Sequence, residues 1–162
     1  MATFNHKILS RDQVLSERDG LREAGKRVVF TNGAFDILHA GHVEYLSFAR
    51  DQGDALIVGL NSDASVRRYK GDRRPVNPEA DRAHVLAALE SVDYVVVFDE
   101  DEPQELIAAL LPNVLVKGED WAHYVSWREV VESHGGTVVL APVAEGHSTS
   151  GMIDRIVNAY SE

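Results

Sequence analysis

Five short aliphatic runs, separated by helix-length segments, constrain the fold of this 162-residue chain more than any other feature. They are Arg27-Val-Val-Phe-Thr31, Ala55-Leu-Ile-Val-Gly-Leu60, Asp93-Tyr-Val-Val-Val-Phe98, Asn113-Val-Leu-Val116 and Thr137-Val-Val-Leu-Ala141. Each is nearly continuous instead of alternating, as strands are when helices cover both faces of a parallel sheet. The stretches between them carry helical periodicity. Residues 42–52 put Val43, Leu46 and Ala49 on one face, and residues 79–90 do the same with Ala83, Leu86 and Leu89. Residues 103–111 follow an acidic turn, Asp99-Glu-Asp-Glu102, suited to a helix N-terminus. Residues 126–134 end at Gly135-Gly136, a C-cap signal. A first helix is expected from Ser10 to Gly25, and a last one from Ser148 or Thr149. Such alternation requires right-handed crossovers, hence an α/β fold with a doubly wound, five-stranded parallel sheet. With no repeat, low-complexity tract or linker, residues 1–162 form one domain, residues 1–25 being an N-terminal helical extension.

Composition narrows the function classes. The chain has no cysteine, so disulfide scaffolds, zinc ribbons and cysteine nucleophiles are excluded. A formal charge of −10 argues against broad nucleic-acid binding, which needs a basic surface to displace counterions. No apolar run approaches a membrane span, and the first eleven residues lack a signal core; the cytoplasm is the expected compartment.

In open α/β sheets ligands bind beyond the carboxyl ends of the strands, where strand order reverses. After the first run comes Thr31-Asn-Gly-Ala-Phe-Asp-Ile-Leu-His-Ala-Gly-His42. Asn32-Gly33 permits a tight turn whose N–H groups face an anion. Gly41 stands where the next helix begins and adds that helix's partial positive charge. His39 and His42, three apart, can project to one side, where two imidazole donors suit charge building on phosphorus. Their bland alternative is capping or packing. A metal pair fits less well: the spacing is not that of a zinc helix, and no third ligand is evident. Neither Gly-x-x-x-x-Gly-Lys-Ser/Thr nor Gly-x-Gly-x-x-Gly occurs, which removes the main support for kinase and dinucleotide readings.

The loop resembles the Gly-x-Phe-Asp-x-x-His-x-Gly-His signature of the cytidylyltransferase-like nucleotidyltransferases. Within them the chain is similar to the heptose 1-phosphate adenylyltransferase branch, which also forms the second domain of a bifunctional heptose-phosphate kinase/adenylyltransferase. That likeness rests on Lys70-Gly71, Arg74-Pro-Val-Asn77, Asp81-Arg82, Val116-Lys-Gly-Glu-Asp-Trp121 and Gly146-His-Ser-Thr-Ser150, and covers most of residues 26–160. Three departures stand out. Ala34 replaces a common cysteine, Glu119 stands where that branch often has glycine, and Val143-Ala-Glu-Gly146 lacks the arginine usual in glycerol-phosphate cytidylyltransferases.

The resemblance implies a Rossmann-like sheet of order 3-2-1-4-5 and transfer of AMP from ATP to a sugar 1-phosphate, with Mg²⁺ accompanying the nucleotide. Its sugar would be D-glycero-β-D-manno-heptose 1-phosphate, for lipopolysaccharide or a related surface glycan. His39, His42 and Lys70 would be catalytic, with Lys70 in the loop after the second strand. Thr31, Asn32, Gly33, Ala34, Phe35, Gly41, Lys117, Gly118, Ser148, Thr149 and Ser150 would bind nucleotide. Asp36, Arg74 and Trp121 would bind the second substrate, Asp36 alternatively orienting the loop or approaching Mg²⁺. No metal ligand is assigned. Asp81 and Arg82 are expected to pair or to hold the arginine loop, and Trp127, like Trp121, to line the site or sit in the core. The five cations from Arg67 to Arg74 (Arg67, Arg68, Lys70, Arg73 and Arg74) are expected beside the phosphates. A homodimer or higher homo-oligomer is in keeping with the superfamily; nucleic acid and membrane are not expected partners. The alternatives are a glycerol-3-phosphate cytidylyltransferase and a non-catalytic ATP-binding module.

Overall fold

The computed structural model describes residues 4–123, 125, 127–144 and 146–161. Its strands are β1 (Ile8–Leu9), β2 (Val28–Gly33), β3 (Ala55–Asn61), β4 (Tyr94–Phe98), β5 (Val114–Gly118) and β6 (Thr137–Ala141), all paired in parallel. The sheet order is β1-β4-β3-β2-β5-β6, so the expected five-stranded 3-2-1-4-5 sheet is corrected to six strands. The added strand is Ile8–Leu9, which pairs with Val95 and Val96 at the sheet edge. Two residues are too few to display a periodicity. Among themselves, the five strands read from sequence stand in the order β4-β3-β2-β5-β6.

Helices α1 (Arg11–Glu23), α2 (Ala40–Arg50), α3 (Asp63–Lys70), α4 (Glu79–Ala87), α5 (Gln104–Leu110), α6 (Arg128–Ser133) and α7 (Thr149–Tyr160) fill the connections. Consecutive strand residues point to opposite faces, so one run feeds two cores. On one face Leu46, Ala49, Ala83 and Leu86 cover Val29, Leu56, Val58 and Val116. On the other, Val14, Leu106, Ile107, Leu110 and Val131 cover Val28, Phe30, Ile57 and Leu115. Burying each such leucine contributes roughly 1.5–3 kcal/mol, which is why these strands are apolar throughout.

Helix α1 starts at Ser10, whose hydroxyl accepts from the Gln13 N–H while the Gln13 side chain accepts from the Ser10 N–H. Since β1 joins the sheet and α1 packs on β4 and α5, the N-terminal segment is built into the layers. Helix α3 was not expected, and Lys70 is its last residue, not a loop residue. Only Ser65 and Val66 of α3 are buried, too few for an apolar stripe. The local signal was Ser62, which accepts the Ser65 N–H and caps the helix. The acidic turn precedes α5 as expected, and its carboxylates also bind cations, Asp99 and Asp101 pairing with Arg68 and Glu100 with Arg11. The expected start of the sixth helix, Ser126, lies outside the described residues, as do Glu145 and residues 1–3 of the N-terminal segment.

Because all strands run in parallel, the carboxyl ends of β2, β3, β5 and β6 open on one side. Strand β2 stands between β3 and β5, where the order reverses. The site lies there.

Candidate active site

The loop leaving β2 is braced from below by two buried ion pairs. Asp36, 3% exposed, accepts N–H bonds from Val76 (2.8 Å) and Asn77 (2.9 Å), and pairs with the Arg74 Nε at 2.6 Å. The Asn77 side-chain amide returns a bond to the Asp36 carbonyl at 2.7 Å. Burial pushes the Asp36 pKa up, but the Asn77 and Val76 N–H groups and Arg74 more than offset it and hold the carboxyl below its ordinary value. Those bonds tie Asp36 to the Arg74–Asn77 segment. Arg82, 2% exposed, donates to the carbonyls of Ala34 (2.6 Å), Asn61 (2.9 Å) and Asn77 (3.0 Å) and pairs with Asp63 at 2.8 Å. Asp81 is exposed; the partner expected for Arg82 is corrected to Asp63, which the unforeseen α3 carries.

On this base sits the N-terminus of α2. His39 is the N-cap, its Nδ1 accepting the His42 N–H at 3.3 Å. That role leaves the ring proton of neutral His39 on Nε2. The His42 ring stacks on it, centroids 3.8 Å apart and planes 20° from parallel. Burial, then the charges of His39 and Lys70, lowers the His42 pKa to about 4, so His42 is neutral at physiological pH. Burial, then His147 and Arg155, lowers that of His39. Lys70 is lowered by burial and by Arg74, against a smaller opposing effect of Asp36. Of four buried side-chain nitrogens without a hydrogen-bond partner among the described residues, two, His42 Nδ1 and Arg74 Nη2, belong to residues that line this cleft.

The facing wall comes from β5 and from the start of α7. Lys117 reaches across the reversal point and donates to the Asn32 side-chain carbonyl. Burial pushes its pKa down to about 8, against the opposing charges of Glu102 and Asp120. Gly118 leaves room for the Asp120 carboxylate, which a Cβ there would strike, and the half-exposed Trp121 continues that wall. Ser148 caps α7 by accepting the Gly151 N–H at 3.0 Å, while the Thr149 hydroxyl donates to the Ile37 carbonyl at 3.5 Å, tying α7 to the β2–α2 loop. Together these walls enclose a cleft of about 700 Å³.

Of the residues singled out in the sequence, the cleft gathers Asn32 to Asp36, His39, Gly41, His42, Lys70 and Arg74 from one side. Lys117, Gly118, Trp121 and Ser148 to Ser150 meet them from the other. Thr31 is not brought there. It is fully buried, its hydroxyl 2.6 Å from the Tyr45 hydroxyl and donating to the Val116 carbonyl, so it locks β2 to β5. Of the five clustered cations only Lys70 and Arg74 line the cleft; Arg68 turns to Asp99 and Asp101. Trp127 packs against the core. Sequence reasoning missed Tyr45, Asn61, Tyr69, Asp101, Glu102, Asp120 and His147, which also line the cleft. The signal for His147 was its place immediately before the α7 cap. For the others there was none, since only folding brings them near the loop. Among the described residues, no group of three His, Asp or Glu is gathered to hold a metal ion, and no helix is long and apolar enough to cross a membrane.

The chain is similar to several known proteins. A Pelobacter propionicus protein named bifunctional protein HldE is 54% identical over 156 residues, covering 96% of this chain and 32% of the relative. A Geobacter sulfurreducens protein of the same name is 59% identical over 139 residues, covering 85% of this chain and 28% of the relative. The chain thus spans about a third of the length of these curated relatives. Among solved structures, a lipopolysaccharide core biosynthesis protein from Thermoplasma volcanium matches with TM-score 0.62 and 25% identity, over 76% of this chain and all of that one. A pantoate-beta-alanine ligase from Francisella tularensis shares the fold at TM-score 0.64 and 17% identity, over 88% of this chain and 68% of that one. The sequence profile described as cytidylyltransferase-like matches residues 30–153, a span that holds the histidine loop, Lys70, Lys117 and the start of α7; the chain belongs to the cytidylyltransferase-like family.

Proposed function

We propose that this chain transfers AMP from ATP to a sugar 1-phosphate, D-glycero-β-D-manno-heptose 1-phosphate, releasing ADP-heptose and pyrophosphate for lipopolysaccharide or a related glycan. The observation that carries this reading is the stacked His39–His42 pair on the α2 N-terminus, with unpartnered His42 Nδ1 and Arg74 Nη2 beside it. Buried polar nitrogens without partners are costly, and phosphate oxygens would accept from Arg74 Nη2 and from His42 in the Nδ1–H tautomer. The likeness to proteins named HldE and to the heptose adenylyltransferase branch supports the sugar and the base.

In the reaction an oxygen of the sugar phosphate attacks the α-phosphorus in line. The bond from that phosphorus to the bridging oxygen of the β-phosphate breaks, and pyrophosphate departs with the electron pair. No protein nucleophile is required, so catalysis rests on positioning and on donors aimed at developing charge. His39 donates through Nε2–H and His42 through its ring N–H. Lys70 brings a cation from the end of α3, and Lys117 one from β5. Mg²⁺ would enter with ATP, whose polyphosphate charge it neutralises. The setting is cytoplasmic, and a homo-oligomer is compatible with it.

The test is pyrophosphate release over a matrix of nucleoside triphosphates and sugar phosphates. Turnover with ATP and heptose 1-phosphate is expected. Turnover confined to CTP with glycerol 3-phosphate would replace the reading with a cytidylyltransferase. Nucleotide binding with no pyrophosphate from any pair would replace it with a binding module.

A further inference from the structure

Three imidazoles, not two, line up at the mouth of the cleft. The His147 ring lies beside that of His39, centroids 6.0 Å apart and planes 24° from parallel, while the charge of Lys70 acts on His42. The row therefore runs His147, His39, His42, Lys70. His147 comes from the β6–α7 connection, so it reaches the row from a different element than its two neighbours.

The backbone is shaped to permit this. A Cβ built on Gly41 would stand 2.9 Å from the His147 Cβ and 3.2 Å from the His39 Cε1 and Nδ1. Glycine at that position lets the His147 segment press directly on the first turn of α2. Gly146, at φ 77, supplies the left-handed turn that delivers His147, and Ser148 at once caps α7. Two helix N-termini, each with its partial positive charge, converge at the place where His147 sits. The structure shows no internal use for this ring: it is exposed, and its polar atoms take part in no hydrogen bond among the described residues. Burial first, then His147 and Arg155 of α7, lowers the pKa of His39.

We infer that His147 is a third imidazole of the polyphosphate cradle, donating to the β- and γ-phosphates of the nucleotide and to the pyrophosphate that leaves. The inference rests on the adenylyltransferase reading and deepens it. A linear polyphosphate offers oxygens in series, and a row of ring donors from two elements matches that repetition. The second substrate then approaches from the Lys70 and Arg74 end. Bond making and breaking are as described above. His147 supplies an N–H to the oxygens that gain charge when the bridging bond breaks, and no proton is lost from the balance.

The experiment compares wild type with His147→Ala and His147→Asn, the second keeping a neutral N–H donor. Binding of inorganic tripolyphosphate, ATP and AMP is measured by calorimetry, and pyrophosphate release in parallel. For His147→Ala we expect tripolyphosphate and ATP affinity to fall about tenfold, AMP affinity to stay within about twofold, and KM for the sugar phosphate to be unchanged, a tenfold loss being about 1.4 kcal/mol. His147→Asn recovers part of the loss. Unchanged tripolyphosphate and ATP affinity in His147→Ala overturns the inference, as does an equal loss for AMP or a lower melting temperature with no loss of affinity. The binding arms do not depend on turnover. If wild type releases no pyrophosphate with any substrate pair, the adenylyltransferase reading fails by itself, while the tripolyphosphate comparison still decides the role of His147.

Discussion

Replacing Gly41 by alanine tests the architecture of the site with one methyl group. The new Cβ would meet the His147 Cβ at 2.9 Å and the His39 ring at 3.2 Å, where ordinary contact begins at 3.4 Å. The His147 contact must open by about half an ångström, and that atom is carried by backbone, not by the end of a flexible chain. Crowding of this kind costs about 1–3 kcal/mol. Pushing His39 off its 3.3 Å bond to the His42 N–H removes an N-cap worth about 1 kcal/mol. Alanine in a helix returns about 0.5–1 kcal/mol of backbone entropy. The net loss is then about 1–3.5 kcal/mol, or roughly 3–10 °C in Tm for a domain of this size. The effect on rate should be larger, because displacement of reacting groups by about 1 Å can cost about a hundredfold. Thermal unfolding by circular dichroism and pyrophosphate release measure both. Gly20→Ala is the control: a Cβ there meets nothing within 4 Å, so it should stabilise α1 and leave the rate alone. Wild-type rate and Tm in Gly41→Ala would refute the claim that glycine is needed for the α2–α7 approach.

Three further outcomes are expected. Arg82→Met strands Asp63 and the carbonyls of Ala34, Asn61 and Asn77, and should cost about 3–5 kcal/mol in urea unfolding; a loss below 1 kcal/mol would remove Arg82 as the brace of the loop. Asp36 has a folded pKa below its unfolded one, so its contribution is present above the ordinary carboxylate range and is lost as pH falls through the depressed value. Stability should drop on acidification, and Asp36→Asn should be less stable at neutral pH with a shallower acid slope; parallel slopes in the two proteins would contradict this. Lys117, lowered to about 8, is cationic below that pH and neutral above it. ATP affinity should weaken as pH rises through about 8 in wild type, and Lys117→Met should be weaker and flat over the same range, as measured by calorimetry.

Some of this molecule is local and some is not. The apolar runs report burial on both faces, which is a property of the strand itself, so they could be recognised without knowing their neighbours. The β1 edge strand and α3 could not. Ile8–Leu9 is held by pairing with Val95 and Val96, and α3 by its cap and by contacts of Asp63 with Arg82 and of Ser65 with Asn61 and the Glu100 carbonyl, so their stability is tertiary. For the same reason Lys70 was read as a loop lysine.

By itself the sequence determined the doubly wound α/β class, the loop that carries His39 and His42, the cap at Ser10 and the glycine at position 41. Those features depend on short-range sterics and hydrogen bonding, which adjacent residues dictate. The tertiary structure decided which charges belong to the site. It drew Lys117 to Asn32 across 85 positions, sent Arg68 away to the acidic turn, saturated Asp36 with Arg74 38 positions downstream, and set His147 beside His39. Pairings of that kind depend on distances that exist only once the sheet has closed, and the same cation is ligand or scaffold according to which anion it then faces.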